Sequence, residues 1–461
     1  MKRLLLLFAA AALFACSPQT VAEEPEIDPS SLKAIRGSIP VTENSCIYEG
    51  CPSFTLVLEN PNEVDVKADI NVRFETDKGK ALFTLEAGSV TVPASGIKDV
   101  DIAVNDKMEP GFYKASCFVN GRNVKALRFG IDPFDIVSAP DKQADFDQFW
   151  EDAINQLKSM DMQPRITQLP KKTGVYLVEI NSVPDGLTGE PVTVRGYLAE
   201  PLDASADKKY PVLIHFEGYD SQNPTGKLSC PSGATNFIEF YFSTRGQVIN
   251  NRTAGQRTDG IDQDFVNTYG DWFAFNFGQR DAYYYRGAFM DCVQAVRFVA
   301  SREGADIGHI FAEGKSQGGA FSYACAALST DYPLAAIAPG VAFLGDFPDY
   351  FEIAGWPAST AKAEAKKVWG DPDKDAAAKE SMFAFLSYFD TKNLATRISC
   401  PIIANIGLKD ETCPPHTNIA PYNNALTPKD KKQMYFYPDM GHDIPSGWDT
   451  KIRNFFKTLL K

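Results

Sequence analysis

The segment Gly314-Lys315-Ser316-Gln317-Gly318-Gly319 constrains this chain more than any other. It follows the short apolar run His309-Ile310-Phe311 and opens a helical stretch at Gln317, and G-x-S-x-G between a strand and a helix is a nucleophile elbow. The turn brings strand and helix so close that side chains at Gly314 and Gly318 would clash, while Ser316 is held exposed with its hydroxyl above the sheet edge. The helix N-terminus beside it favours developing negative charge.

An elbow needs a parallel sheet to stand on, and the surrounding sequence supplies one. Beyond Asp132-Pro133-Phe134, an acidic-fronted amphipathic helix opens at Asp145-Phe146-Asp147-Gln148-Phe149-Trp150. Apolar runs Tyr210–Phe216, Phe237–Phe242, Ala335–Pro339, Pro401–Ile406 and Gln433–Tyr437 then alternate with helical stretches, including Gly287–Ala300 and a final amphipathic helix at Thr450–Leu460. That alternation predicts an α/β domain over residues 132–461 with a mostly parallel sheet. Residues 35–131 read differently. Runs such as Ser53–Leu58, Val66–Phe74 and Lys98–Val104 alternate with period two and are separated by turn signals such as Asn60-Pro61-Asn62 and Asp77-Lys78-Gly79. They predict a small antiparallel β-sandwich. It has no evident catalytic cluster and reads as a spacer or packing domain.

The first residues carry an address. Met1-Lys2-Arg3 precedes twelve apolar residues, Leu4–Ala15, too few to span a bilayer but the size of a signal-peptide core. Leu13-Phe14-Ala15-Cys16 resembles the lipobox of bacterial lipoproteins, so residues 1–15 read as a lipoprotein signal, Cys16 as the lipidation site and residues 16–34 as a flexible tether. The expectation is an exported bacterial lipoprotein anchored in a membrane, at the periplasm or the cell surface. An oxidising compartment permits disulfides, and Cys46 and Cys51, with Gly50 between them, are the best local pair. No cysteine has paired C-x-x-C metal spacing. A net charge of −13 is the wrong sign for a nucleic-acid partner.

A serine hydroxyl needs a base to take its proton and a carboxylate to orient that base. The chain has four histidines. The expected order of Ser, then acid, then His excludes His215 and His309, which precede Ser316. His442 lies in the small-residue loop Pro438-Asp439-Met440-Gly441-His442, after one strand and before the last helix, and is the favoured base. His416, at the start of the helix after Cys413-Pro414-Pro415, reads as a helix-end or surface residue. Asp410 follows the strand Pro401–Ile406 and so shares the sheet edge, with Glu411 the neighbour that could be confused with it.

At this point the residues resemble a family. Gly314–Gly318, Arg245-Gly246-Gln247, Gly407-Leu408-Lys409-Asp410-Glu411-Thr412-Cys413-Pro414-Pro415, Tyr283-Tyr284-Tyr285-Arg286 with the helix Asp291–Val299 behind it, and Asp145–Trp150 together resemble the acetyl xylan esterase and cephalosporin-C deacetylase family of carbohydrate esterases. The resemblance covers about residues 140–461 and implies an α/β-hydrolase fold. It implies Ser316 as nucleophile, Asp410 as orienting acid and His442 as base. It implies an oxyanion hole of the Gln317 and Tyr219 backbone N–H groups, with Gly218 letting the second loop approach closely. Arg245 and Gln247, with Gly246 between them, would brace the site through hydrogen bonds. The implied activity is removal of acetyl groups from acetylated xylan or xylo-oligosaccharides, without a metal or organic cofactor. Two departures stand out. The family usually has His-Glu where this chain has His442-Asp443, and the sandwich lies outside the family core. The sandwich and the lipid anchor both weigh against the family's ring-shaped homo-oligomer.

Three other signals are weaker. Trp272–Phe277 and Tyr283–Tyr285 suit a core more than a sugar-binding wall. Asp259, Asp262 and Asp264 lack the full pattern of a Ca²⁺ loop and read as a solvated acidic loop. The rival functions are a broader esterase or serine peptidase on the same fold, and a surface glycan-binding lipoprotein without activity.

Overall fold

The computed structural model describes residues 32–170, 172–186, 188–219, 237–247 and 269–460. The signal segment, Cys16, Cys230 and the acidic residues Asp259, Asp262 and Asp264 lie outside the described residues.

Period-two alternation builds the first region. Strands β1 (Arg36–Ser38), β3 (Ser53–Glu59) and β6 (Ile97–Ala103) form a three-stranded sheet, and β2 (Ile47–Tyr48), β4 (Val66–Thr76), β5 (Ala81–Val92), β7 (Gly111–Val119) and β8 (Arg122–Ile131) a five-stranded one. Along β4 every second residue, Val66, Ala68, Ile70, Val72 and Phe74, is buried, and Phe54, Leu56 and Leu58 of β3 join them in one core. Each sheet thus has one wet and one dry face, as a sandwich requires. Cys46 and Cys51 are both free thiols, which corrects the pairing that their spacing suggested. No hairpin closes between them, because Ile47–Tyr48 pair in parallel with Gly130–Ile131. The Cys46 thiol lies beside Ser45 Oγ (3.6 Å) and that of Cys51 beside the Asn105 carbonyl (3.7 Å).

The second region is built on nine strands: β9 (Arg165–Gln168), β10 (Val175–Ser182), β11 (Val192–Ala199), β12 (Tyr210–Phe216), β13 (Ile238–Ser243), β14 (Ala305–Lys315), β15 (Ala336–Gly340), β16 (Ile402–Gly407) and β17 (Lys432–Tyr437). They run in the order β17-β16-β15-β14-β12-β13-β11-β10-β9, with β12 to β17 parallel and β9 to β11 added antiparallel at one edge. Strands β15 and β16 are buried at every residue, because helices cover both faces. The last helix, Trp448–Thr458, packs Ile452 and Phe456 onto Leu213, Phe311 and Ile403. The helices Tyr284–Ala300 and Gln317–Leu328 cover the other face. The order reverses at β12, whose neighbours are β13 on one side and β14 on the other. A crevice beyond the carboxyl ends at such a point is where this architecture binds ligands.

The aromatic runs are core. Trp272, Phe273, Phe277 and all three tyrosines from Tyr283 to Tyr285 are buried. The sandwich docks against the open edge of the parallel sheet: the Asn44 amide donates to the Phe436 carbonyl and the Asn44 side chain accepts from the Phe436 amide, both at 2.8 Å. This pairing covers strand groups on β17 that would otherwise be open.

Candidate active site

The elbow has the geometry that its sequence demands. Strand β14 ends at Lys315, the helix begins at Gln317, and Ser316 between them takes φ 58° and ψ −118°, a left-handed value rare for a residue with a side chain. A Cβ at Gly314 would collide with the Gly318 carbonyl, and one at Gly318 with the Phe216 carbonyl oxygen. The Ser316 amide donates to the Gly340 carbonyl (2.9 Å), and its carbonyl accepts from the Ala320 and Phe343 amides (3.1 and 3.0 Å). The strain is therefore held from three sides.

Asp410 stands in the loop after β16, and its side chain is fully buried. Its Oδ1 accepts from the backbone amides of Thr412 (2.9 Å) and Cys413 (2.8 Å), which fixes the carboxylate plane. Its Oδ2 lies 2.8 Å from His442 Nδ1. The imidazole is thereby turned so that Nε2 is the nitrogen left for proton transfer. The loop carrying His442 lies directly on Gly407, where a Cβ would strike the Gly441 carbonyl, and the Lys409 amide donates to the Met440 carbonyl (2.9 Å). Two residues on, Ile444 rests over Gly340, the residue that holds the Ser316 amide. The loops after β14, β16 and β17 thus meet at one sheet edge.

Glu411 points elsewhere, with its side chain 74% exposed and paired at 2.5 Å with Arg128. Asp443 accepts from the Ile444 amide (2.8 Å) and pairs with Lys315 (3.3 Å), so it stabilises the loop without touching His442. His416 is the helix-end residue that its sequence position suggested. It is half-buried at the start of the helix Pro415–Asn424, with Nε2 3.0 Å from Asp346 Oδ2. His215 is buried in β12 between Glu313 (2.6 Å) and Glu239 (3.3 Å). Burial opposes its charge, but the two carboxylates prevail and push it up to about 9, which makes it a structural cation under the site.

The two backbone N–H groups expected to receive an oxyanion lie at the start of the helix after β14 and just past β12. Gln317 is the first helical residue, so its N–H has no partner within the helix. Tyr219 sits just past β12. Its hydroxyl donates to Asp271 Oδ1 (2.9 Å) and accepts from the Trp272 amide (3.0 Å). Gln247 Nε2 donates to the Gly218 carbonyl (2.9 Å), the other end of the peptide unit that carries the Tyr219 N–H, while Gln247 Oε1 accepts from the Thr244 amide (3.0 Å). Gln247 therefore sets the plane of that peptide.

Arg245 anchors the turn from below. Its guanidinium grips Asp291 through Nε (2.9 Å) and Nη2 (2.7 Å), with both side chains buried, and its own amide donates to the same carboxylate (2.9 Å). Burial works against its charge, and Asp291 more than offsets this. Gly246 takes φ +82° under the Trp272 ring, and Gly287 leaves room for the Arg245 guanidinium. Sequence reasoning missed Asp291 and Asp271 as partners. The signal for Asp291 was a lone carboxylate in the apolar helix Tyr284–Ala300, and Asp271 had none. Among the described residues no cluster of His, Cys, Asp and Glu could hold a metal ion.

An aromatic wall completes the site. The Trp356 ring stacks on Phe343 at 5.5 Å and meets Tyr219 edge-on at 5.1 Å, and Phe343 is the residue whose amide binds the Ser316 carbonyl.

Comparison with known proteins agrees with this architecture. The family profile described as acetyl xylan esterase (AXE1) matches residues 136–459. The acetyl esterase Axe7A of Xylanibacter ruminicola is 24% identical over 408 residues, covering 87% of this chain and 82% of that protein. The solved structure of an acetyl xylan esterase from Paenibacillus sp. R4 is 26% identical, with a TM-score of 0.58 over 71% of this chain and 98% of that one. Acetyl xylan esterase 1 from Thermoanaerobacterium sp. has the same fold, at 24% identity and a TM-score of 0.56 over the same shares. Matched over most of its length by the family profile, the chain belongs to the acetyl xylan esterase family.

Proposed function

We propose that this carboxylic ester hydrolase removes acetyl groups from acetylated xylan or xylo-oligosaccharides through an acyl-enzyme on Ser316. The observation that carries the reading is the buried Asp410 carboxylate, held by two backbone amides and joined at 2.8 Å to His442, on the same sheet edge as a serine in elbow geometry. His442 Nε2 takes the Ser316 proton as Oγ attacks the ester carbonyl carbon. The N–H groups of Gln317 and Tyr219 receive the resulting oxyanion. His442 returns the proton to the departing sugar hydroxyl as the C–O bond breaks. It then takes a proton from water, whose oxygen attacks the acyl carbon, and gives that proton to Ser316 Oγ as the Ser316–acyl bond breaks and acetate leaves. Asp410 stays ionised throughout and stabilises the imidazolium that forms twice in each turnover.

The preference for a two-carbon acyl group is supported by membership of the acetyl xylan esterase family and by the likeness to an acetyl esterase over most of both chains. In this reading the enzyme works outside the cytoplasm, tethered through acylated Cys16. Incorporation of a labelled fatty acid into the wild type and not into Cys16→Ser tests that part.

The activity is tested by acetate release from acetylated xylan and by kcat/KM over p-nitrophenyl esters of increasing acyl length. Release of acetate together with a steep fall beyond short acyl groups is expected. Preference for long acyl chains or for peptides would replace the reading with a broader esterase or peptidase. Polysaccharide binding without turnover would replace it with a glycan-binding protein.

A further inference from the structure

The sandwich reaches the loop of Asp410 from two directions. Arg128, on β8, pairs at 2.5 Å with Glu411, the residue between Asp410 and Thr412. The Thr412 and Cys413 amides are the ones that hold Asp410 Oδ1. Lys78, in the turn between β4 and β5, pairs with Asp349 and with Glu352 (2.8 Å) on the helix Phe347–Ile353. That helix carries the buried Tyr350, whose hydroxyl donates to the Thr412 carbonyl at 2.6 Å. Three residues after the helix comes Trp356, whose ring covers Phe343 and Tyr219. One sandwich cation thus grips the acid's loop directly, and the other grips the helix that buttresses the same loop and leads into the aromatic wall.

The contact is made by charge. A cleft of 360 Å³ lies between the two grips, lined by Thr76, Lys78, Lys114, Arg128, Glu352 and Glu411. Burial opposes the charge of Lys78, but Asp349 and Glu352 hold it well above its ordinary value, so it remains a cation across the working range. The Glu411 and Glu352 side chains are largely in water, so these pairs contribute little to stability. Their consequence is positional. A triad acid must meet its histidine at hydrogen-bond length and in plane, and a small misplacement caused by a group remote from the chemistry lowers turnover steeply.

We propose that Lys78 and Arg128 are positioning residues for the esterase reaction, holding the Asp410 loop and the helix behind it in the arrangement that orients His442, so that the sandwich is part of the catalytic unit. This inference rests on the reading of Asp410 as the orienting acid. The residues act through others and touch no substrate, so their loss lowers kcat and leaves KM for a small ester in place.

The test uses the full chain with p-nitrophenyl acetate. In the double variant Lys78→Met/Arg128→Met, kcat falls about tenfold while KM stays within about twofold. The charge-conserving pair Lys78→Arg/Arg128→Lys recovers most of the loss. Arg36→Met, which removes an exposed sandwich pair with Glu59 on the three-stranded sheet, leaves kcat unchanged. Should the double variant fail to fold, Arg128→Met alone decides, since its partner Glu411 is exposed; a severalfold loss of kcat is expected. Wild-type kcat in the folded double variant, or in Arg128→Met if the double variant does not fold, overturns the proposal. So does equal loss in the charge-conserving pair. Asp410→Asn separates the two levels of argument. If it retains turnover, the reading of the acid fails; if it is inactive while the double methionine variant keeps full kcat, only the role of the sandwich fails.

Discussion

His442 and His416 both follow Ser316 in the chain, and each meets an aspartate in the fold, Asp410 at 2.8 Å and Asp346 at 3.0 Å, but the two pairs are built for different ends. Around Asp410 the second carboxylate oxygen is taken by backbone amides, which carry no net charge, so among the described residues the imidazole is the side chain that the acid serves. Around Asp346 the carboxylate also accepts from Ser138 and from Lys392 (2.8 Å), and His416 Nδ1 faces Asp349 at 3.8 Å. Both nitrogens of His416 are therefore turned toward carboxylates, in a network that already holds a permanent cation. Burial works against the charge of His416, and Asp346 and Asp349 raise its pKa above the usual imidazole value. The difference teaches that an Asp–His contact alone does not mark a base. In the proposed mechanism the base is His442, whose acid meets no cation and whose second nitrogen meets no carboxylate among the described residues.

The largest effect that could break this comparison is loss of the base itself. His442→Ala is expected to lower kcat on an acetyl ester by about 10⁴-fold or more, whereas His416→Ala in its folded form costs less than about tenfold. Equal losses in steady-state assays would erase the distinction. Next, Asp410→Asn should lower kcat by about 10³- to 10⁴-fold with little change in melting temperature, while Asp346→Asn, which leaves Lys392 with Asp141 alone and His416 with Asp349 alone, should destabilise the fold by about 3 kcal/mol and cost kcat no more than about tenfold. Chemical denaturation run beside kinetics separates the two signatures.

A smaller effect is one of pH. The folded-state pKa of His416 is raised, so the stability that it contributes is fully present below its unfolded value of about 6.5 and is lost as pH rises through the folded value. The gap in unfolding free energy between wild type and His416→Gln should shrink from pH 6 toward pH 9, and a gap that widens would contradict the assignment. The smallest effect is expected at Asp443, which contacts Lys315 and the Ile444 amide but not the imidazole. Asp443→Glu, which restores the family's residue, should leave kcat/KM within about twofold.

Legibility from sequence tracked burial and chain order. Strands β12, β15 and β16 were readable because parallel strands covered on both faces are continuous apolar runs. Strand β9 is exposed at all four residues and carries no pattern; it was missed, and so were β10 and β11, which join the sheet antiparallel, outside the strand-helix alternation that marked the others. The strand-turn-helix geometry at Ser316 and the meeting of Asp410 with His442 could be anticipated because the fold ties residue type to position along the chain. Contacts between remote segments could not be read that way. Nothing local ties Lys78 to Asp349, Arg128 to Glu411 or Tyr219 to Asp271, and the half-buried place of His416 depends on Asp346, 70 residues earlier. Cys46 and Cys51 failed as a pair for the same reason, since the strand between them finds its partner at Gly130 and Ile131.

The measurement that bears most directly on the central claim is identification of the acylated residue. Wild-type enzyme quenched during turnover of p-nitrophenyl acetate, digested and mapped by mass spectrometry should carry the acetyl group on Ser316, with Ser316→Ala unacetylated there and inactive. Acetyl on another residue, or turnover that persists in Ser316→Ala, would contradict the account.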